Sequence, residues 1–267
     1  MVSEVLPSLH ELISMKGRIS LITGAASGIG RAIAKRYAEA GSALILVDVD
    51  KEKLDELSES LRENDVKVSA YRVDLSRKSE IDTLWDEIGS NPPDTLVNNA
   101  GIYPFRKFDE VDEEFLDRMF NINMKSVFWM CQRMITSRGD LGGSIINVSS
   151  IEAILPFKDG MYCYGPSKWG VLSLTRSLAK DYSSKGYRVN AILPGGINTP
   201  GTRNVAKGLL KLQFGLIKDG IEFMSRLPMK RFGDPDEVAR IATVLATDLA
   251  SYMTGAAIPV DGGFLSA

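Results

Sequence analysis

From Arg18 onward the chain alternates apolar runs of strand length with segments of helical periodicity, which narrows the available folds sharply. The runs Arg18–Thr23, Ser42–Asp50, Val66–Asp74, Asp94–Gly101, Gly143–Ser150, Tyr187–Gly196 and Ala256–Gly263 read as strands. They lack the every-second-residue pattern of a half-exposed sheet, so they suit a parallel sheet buried on both faces. Between them, Gly28–Ala40, Lys51–Asn64, Ser76–Ile88, Glu113–Thr136, about Cys163–Ser183 and Asp234–Ala250 read as helices. A strand–helix–strand order of this kind predicts an open, doubly wound α/β fold: about seven parallel strands with helices on both faces. No internal repeat, linker or low-complexity tract interrupts it, so residues 18–267 are expected to form a single domain behind an N-terminal extension of residues 1–17. The long stretch at about 197–228 breaks the regularity, and its length suits a substrate lid.

Charge and composition remove several function classes. The formal net charge is −2, which offers no basic field for nucleic acid or an anionic membrane. The N-terminal segment contains Glu4 and Glu11 and no apolar run, so neither a signal peptide nor a membrane span is expected. Cys131 and Cys163 are too few for a disulfide framework and suit reduced thiols in the cytoplasm. His10 is the lone histidine, which excludes a Ser-His-Asp triad and a histidine-based zinc site; no metal is expected. Catalysis must use other groups.

Thr23 to Gly30 joins the first strand to the first long helix and carries Gly24, Gly28 and Gly30. Glycines at a strand-to-helix turn let the backbone approach a pyrophosphate, whose charge the helix N-terminus favours. The spacing is G-x-x-x-G-x-G rather than G-x-G-x-x-G. Asp48 ends the second strand, 20 residues after Gly28, where an acid is expected to bond the adenosine ribose hydroxyls. A carboxylate there repels a 2′-phosphate, and no base lies between Gly24 and Gly30 to offset it, so NAD is expected over NADP.

The turn, together with Asn98-Asn99-Ala100-Gly101, Tyr164-Gly165-Pro166-Ser167-Lys168, Pro194-Gly195-Gly196-Ile197-Asn198-Thr199 and Val260-Asp261-Gly262-Gly263, resembles the short-chain dehydrogenase/reductase family. The resemblance runs from Arg18 to Gly263. It implies a Rossmann fold, a nicotinamide cofactor and chemistry at a CH–OH or carbonyl carbon. The cofactor contacts it implies are Gly24, Ser27, Gly28, Ile29 and Gly30; Asp48; Asp74 and Leu75 at the adenine; and Asn99, Ala100 and Gly101. Pro194, Gly195, Ile197 and Thr199 follow on the nicotinamide side, with Thr199 bonding the carboxamide and Ile197 beside the ring. Gly196 stands where a small side chain is more usual, and extra backbone freedom is the reading it invites.

Tyr164 and Lys168 are four residues apart on a predicted helix and share one face. A free phenol, with a pKa near ~10, is too weak an acid to act as a base near neutrality. A neighbouring ammonium and a cationic nicotinamide lowering it by ~2–3 units requires ~3–4 kcal/mol. Tyr164 is then the expected acid–base group, and Lys168 is expected also to bind the nicotinamide ribose. The resemblance adds Ser150 as the substrate-oxygen donor. Ser149 stays open, because the 14-residue gap from Ser150 to Tyr164 is about one longer than the family pattern. It adds Asn123 as the helix asparagine acting on the lysine, with Asn121 as the alternative. Cys163 lacks a histidine base and reads as a small buried hydrophobe.

Tyr103, Phe105, Glu152, Met161 and Tyr162 fall near the expected crevice. Glu152 is expected either to accept bonds from a polyol or to pair with Lys158. The helices of Glu113–Ser137 and of Tyr164 are the surfaces similar proteins use to assemble, so a homotetramer is expected. The reading is an NAD-dependent oxidoreductase acting on a secondary alcohol, ketone or sugar-like small molecule. The alternatives are an NADPH-dependent 3-oxoacyl-(acyl-carrier-protein) reductase and a catalytically silent dinucleotide sensor.

Overall fold

The computed structural model describes residues 6–201 and 223–267. A seven-stranded sheet in the order β3-β2-β1-β4-β5-β6-β7 runs through it, every pairing parallel. The strands are β1 Ile19–Thr23, β2 Ala43–Asp48, β3 Val68–Arg72, β4 Thr95–Asn98, β5 Gly143–Val148, β6 Tyr187–Pro194 and β7 Ala257–Val260. The order reverses between β1 and β4, which opens a crevice at their carboxyl ends. The expected doubly wound Rossmann architecture is the observed one.

Burial explains the sequence pattern. All four residues of β4 are buried, and so are the middle four of β2. The edge strands differ: β3 has no buried residue, and β7 carries Pro259, which an edge tolerates because no ladder bond needs its missing N–H.

One apolar cluster packs α2 (Gly28–Glu39), α3 (Lys51–Arg62) and α8 (Pro235–Ala246) on one face, around Ile22, Leu46, Ile146 and Ile192. The other packs α4 (Lys78–Ile88), α6 (Ser126–Arg138) and α7 (Tyr164–Tyr182) around Leu21, Val47, Leu96 and Ile145. Helix α2, which opens at the glycine turn, is tied to α8 by the fork of Arg36 on Asp236, at 2.6 and 2.8 Å. The buried Tyr37 hydroxyl donates to the Ala242 carbonyl at 2.9 Å. The arginines Arg36 and Arg240 hold the Asp236 carboxyl down to about 2.

One boundary departs from expectation. The long helix predicted over Glu113–Thr136 is α5 (Glu113–Phe120) and α6 joined by a π turn, Asn121–Lys125. Such a turn inserts one residue and shifts the register of the side chains that follow. Much of the expected lid, with Leu209, Leu210, Leu212, Phe214, Leu216, Ile217 and Ile221, lies outside the described residues. Among the described residues no helix is long and apolar enough to cross a membrane, and no cluster of metal-ligating side chains occurs.

Candidate active site

The glycine turn is fixed by what its neighbours leave no room for. Gly24 (φ +64°) and Gly28 (φ +54°) adopt the left-handed backbone that side chains disfavour. A Cβ on Gly30 would lie 2.1 Å from the Gly24 carbonyl oxygen. Asn99 ties the turn to β4, its Nδ2 donating to the carbonyls of Thr23 (2.9 Å) and Gly24 (3.1 Å). The Thr23 hydroxyl in turn accepts the peptide N–H groups of Asn99 and Ala100 at 3.0 and 3.1 Å. Ser27 is the N-cap of α2 but makes no side-chain capping bond. The first turn of α2, with Ile29, is thereby left without a side-chain cap and offers its amides to an anion. These residues fit a pyrophosphate.

Asp48 is half-buried at the end of β2 and braces the turn: Oδ2 accepts the Ala26 N–H at 2.9 Å and Oδ1 the Asp50 N–H at 3.0 Å. Each oxygen keeps acceptor capacity for ribose hydroxyls. The nearby bases are engaged by acids: Arg31 pairs with Glu56 at 2.8 Å, Lys51 with Asp55, and Lys53 with Asp50. The Val73 N–H donates to the Asp48 carbonyl at 3.0 Å, which sets the turn of Asp74 and Leu75 alongside. Asp74 lies below the usual carboxylate range, held there chiefly by the Ser76 hydroxyl and also by Arg77.

The candidate chemical groups converge at the ends of β4, β5 and β6. Lys168, 3% exposed, donates from Nζ to the Val148 carbonyl at 2.8 Å. Asn123, also buried, is clamped to Ile102: its Oδ1 accepts the peptide N–H and its Nδ2 donates to the carbonyl, both at 2.8 Å. A Cβ on Gly101 would lie 3.2 Å from Asn123 Oδ1 and 3.3 Å from Lys168 Nζ, so the two side chains meet at that glycine. Asn121, the alternative, is only partly buried. Ser149 donates to the Lys168 carbonyl at 2.8 Å and is spent on α7, whereas Ser150 reaches Tyr164. Geometry therefore singles out Asn123 and Ser150 from their neighbours.

Tyr164 departs from the expected electrostatics. Burial pushes its phenol up to about 12; the Ser150 hydroxyl opposes this, and the Glu152 carboxylate adds to it. Lys168 stands 5.9 Å from the centre of the Tyr164 ring, and burial lowers its own ammonium to about 8. Only the Ser150 hydroxyl opposes the desolvation, so a low phenol pKa requires added positive charge.

The nicotinamide-side loop folds onto the same place. Ile197, 4% exposed, bridges to Gly233. Thr199 faces the glycine turn, with its Cβ and Cγ2 each 3.3 Å from where a Cβ on Gly28 would stand. The Tyr103 ring meets Tyr164 edge-on at 6.2 Å, and burial raises the Tyr103 phenol. Pro194 ends β6, and the Gly195 N–H donates to the Val260 carbonyl at 3.0 Å. Glu152 lies against Lys158: its oxygens accept the peptide N–H groups of Phe157 (3.2 Å) and Lys158 (3.3 Å), and burial raises its pKa while the Lys158 charge lowers it. Cys163 is buried and its thiol is raised by desolvation, as a structural cysteine's is.

Sequence reading missed Thr23, the Val148 carbonyl and the Ile102 backbone as the groups that hold Asn99, Lys168 and Asn123. A threonine ending a strand before a glycine turn was a usable signal. The two backbone partners had none.

The family model described as enoyl-(acyl carrier protein) reductase matches residues 24–265. A 3-oxoacyl-(acyl-carrier-protein) reductase of Thermotoga maritima is 37% identical over 257 residues, 94% of this chain and 99% of that protein. A 2-dehydro-3-deoxy-D-gluconate 5-dehydrogenase of Bacillus subtilis is 33% identical over 264 residues, 97% of this chain and 98% of that protein. Among solved structures, L-sorbose reductase from Gluconobacter frateurii, complexed with NADPH and L-sorbose, superposes with a TM-score of 0.88 at 30% identity, covering 96% of this chain and 99% of that one. With these matches along nearly its whole length, the chain belongs to the short-chain dehydrogenase/reductase family.

Proposed function

We propose that this protein is an NAD-dependent oxidoreductase that interconverts a secondary alcohol and a ketone on a small, sugar-like molecule. The convergence of Ser150, Tyr164, Lys168 and Asn123 beside an anion-binding glycine turn carries the reading. Relatives that act on a deoxygluconate and on L-sorbose support the substrate class.

The nicotinamide ring, when bound, accepts or supplies the hydride. The chain's residues do the rest. Ser150 donates to the substrate oxygen and orients it toward Tyr164. Tyr164 takes the hydroxyl proton in oxidation and returns it in reduction. Lys168, locked by the Val148 carbonyl, supplies the positive charge that eases loss of the phenolic proton, and binds the ribose. Asn123 positions Lys168 and the Gly101 turn through its clamp on Ile102. Ile197 and Thr199 hold the nicotinamide, while Asp48 selects the unphosphorylated ribose. The solved relative with NADPH supports a nicotinamide dinucleotide in general, and Asp48 is the feature that favours NAD.

A panel of alcohols, sugars and ketones, read by reduced-nicotinamide absorbance, tests the function. Failure of every class to turn over, with no dinucleotide bound, sinks it. The Thermotoga maritima relative favours a second reading, reduction of a 3-oxoacyl group on a carrier protein. Turnover of acetoacetyl thioesters with NADPH in preference to every sugar would establish that one.

Two further outcomes follow from the charges. Binding a cationic ring favours loss of a proton from the Tyr164–Lys168 pair, because the ammonium, lowered to about 8, and the phenol both become less positive. Affinity for the oxidised dinucleotide therefore rises with pH, by at most ~10-fold per unit for one released proton, while that for the reduced form stays flat. Titrations between pH 7 and 9 check this, and parallel slopes refute it.

Lys168 also bears on stability. Its folded pKa lies below its ordinary value of 10.5, so the unfolded chain binds the proton more readily. The resulting penalty, roughly 3 kcal/mol, is full below about 8 and fades as pH rises toward 10.5. Lys168→Met removes it, so the variant's Tm advantage over the parent is largest at pH 7 and shrinks by several degrees at higher pH. A difference in Tm that ignores pH contradicts the buried-cation account.

Homotetramer assembly belongs to the same proposal. Leu116, Phe128 and Trp169 on α5, α6 and α7 are exposed apolar side chains suited to a second copy. Light scattering on the purified protein reads the assembly directly. The cytoplasmic assignment rests on two free, buried thiols, and the division into residues 1–17 and one domain, 18–267, stands with it.

A further inference from the structure

Gly196 has a backbone that any residue can adopt, so its identity is a matter of space rather than conformational freedom. A Cβ there would lie 2.4 Å from Phe223 Cε1 and 2.8 Å from Phe232 Cδ1, far inside contact distance. The Phe223 ring occupies the place of the missing side chain. It stacks on Phe232 (5.7 Å between ring centres, 13° between planes) and on Phe264 (4.8 Å, 23°). Phe157 completes the group, 5.5 Å from Phe223 and 5.2 Å from Phe264.

This stack touches both walls of the candidate site. Phe157 gives its peptide N–H to Glu152, on the turn that follows Ser150. Phe232 precedes Gly233, which is stitched to the opposite wall: the Gly233 N–H donates to the Gly196 carbonyl at 2.9 Å, and the Asn198 N–H to the Gly233 carbonyl at 2.8 Å. Gly233 is itself tight, since a Cβ on it would meet Ile197 Cδ1 at 2.7 Å. The aromatic stack thus sets the distance between the 151–158 turn and the 195–199 loop.

We propose that Phe223, seated in the space left by Gly196, is a positioning residue for the nicotinamide end of the site. Its ring holds the 195–199 loop so that Ile197 and Thr199 stand ready for the ring and carboxamide. This rests on the dinucleotide reading above. Added bulk at residue 196 displaces the ring and the loop, because close-packed interiors absorb an extra methyl only by shifting.

The test compares two probes, NADH, which reaches the loop, and ADP-ribose, which stops short of it. Binding is measured by NADH fluorescence and by calorimetry, without turnover. Gly196→Ala should weaken NADH at least fivefold and leave ADP-ribose within twofold. Adding Phe223→Leu to Gly196→Ala, which vacates the contested space, should recover most of the loss. Phe223→Ala alone, which loosens the loop without crowding it, should show the same selective weakening and serves if Gly196→Ala fails to fold. NADH affinity equal to the parent's in both single variants overturns the inference, as does parallel loss of NADH and ADP-ribose or a double variant no better than Gly196→Ala. A parent that binds neither probe overturns the dinucleotide reading itself, and this inference with it.

Discussion

Tyr164→Phe is expected to lower turnover by ~10²–10⁴-fold, the range for removing a positioned acid–base group. The dinucleotide Kd should stay within about threefold, because the ring survives and only its hydroxyl is lost. The edge-on contact with Tyr103 at 6.2 Å persists in the variant, so the Tm should hold as well. The effect is large because nothing nearby substitutes for the phenol. Glu152 has both oxygens engaged by peptide N–H groups, Cys163 is a raised, buried thiol, and His10 lies in the N-terminal extension. Steady-state rates on whichever substrate the panel reveals, with NADH binding measured alongside, decide the matter. Turnover within tenfold of the parent would remove Tyr164 from the chemistry.

Asp48 carries the second large expectation. Its carboxylate braces the glycine turn through Ala26, and in the proposed function it also presents acceptors to a ribose. Losing charge-assisted hydrogen bonds costs ~1.5–3 kcal/mol, so Asp48→Ala should weaken NADH by roughly 10- to 100-fold. The same change removes the repulsion of a 2′-phosphate, so NADPH should lose much less, or gain. Asp48→Asn separates the two jobs: its amide oxygen can still accept the Ala26 N–H, while the charge and the acceptor for the Asp50 N–H are gone. It should shift the NADPH-to-NADH affinity ratio with little damage to the turn. If neither variant changes that ratio, selection of the coenzyme lies elsewhere.

The parallel sheet was legible because its signal is local. Leu44 to Val47 can be apolar in succession only where both faces of the strand are covered, and periodicity records that directly. The glycine turn, Asp48 and the Tyr164–Lys168 pair were legible for the same reason, since each lies within one loop or one helical turn. Glu113–Thr136 was read as unbroken because no proline or glycine marks the π turn. Within that turn Asn123 is gripped by Ile102, a partner outside the helix that the local pattern does not mark. Gly196 was read as backbone freedom, whereas the position is filled by Phe223, and no local pattern relates residues so far apart.

The sequence by itself determined the succession of strands along the chain and their parallel direction, the glycine turn suited to a phosphate and the identity of the candidate acid–base pair, all encoded in short-range spacing. Tertiary structure alone decided which serine and which asparagine lie against the pair, what surrounds Glu152 and Gly196, and how deeply Tyr164 is buried. Those outcomes depend on desolvation and on contacts between distant segments. Burial depth and the space between rings do not exist until the sheet and its two helical layers have closed.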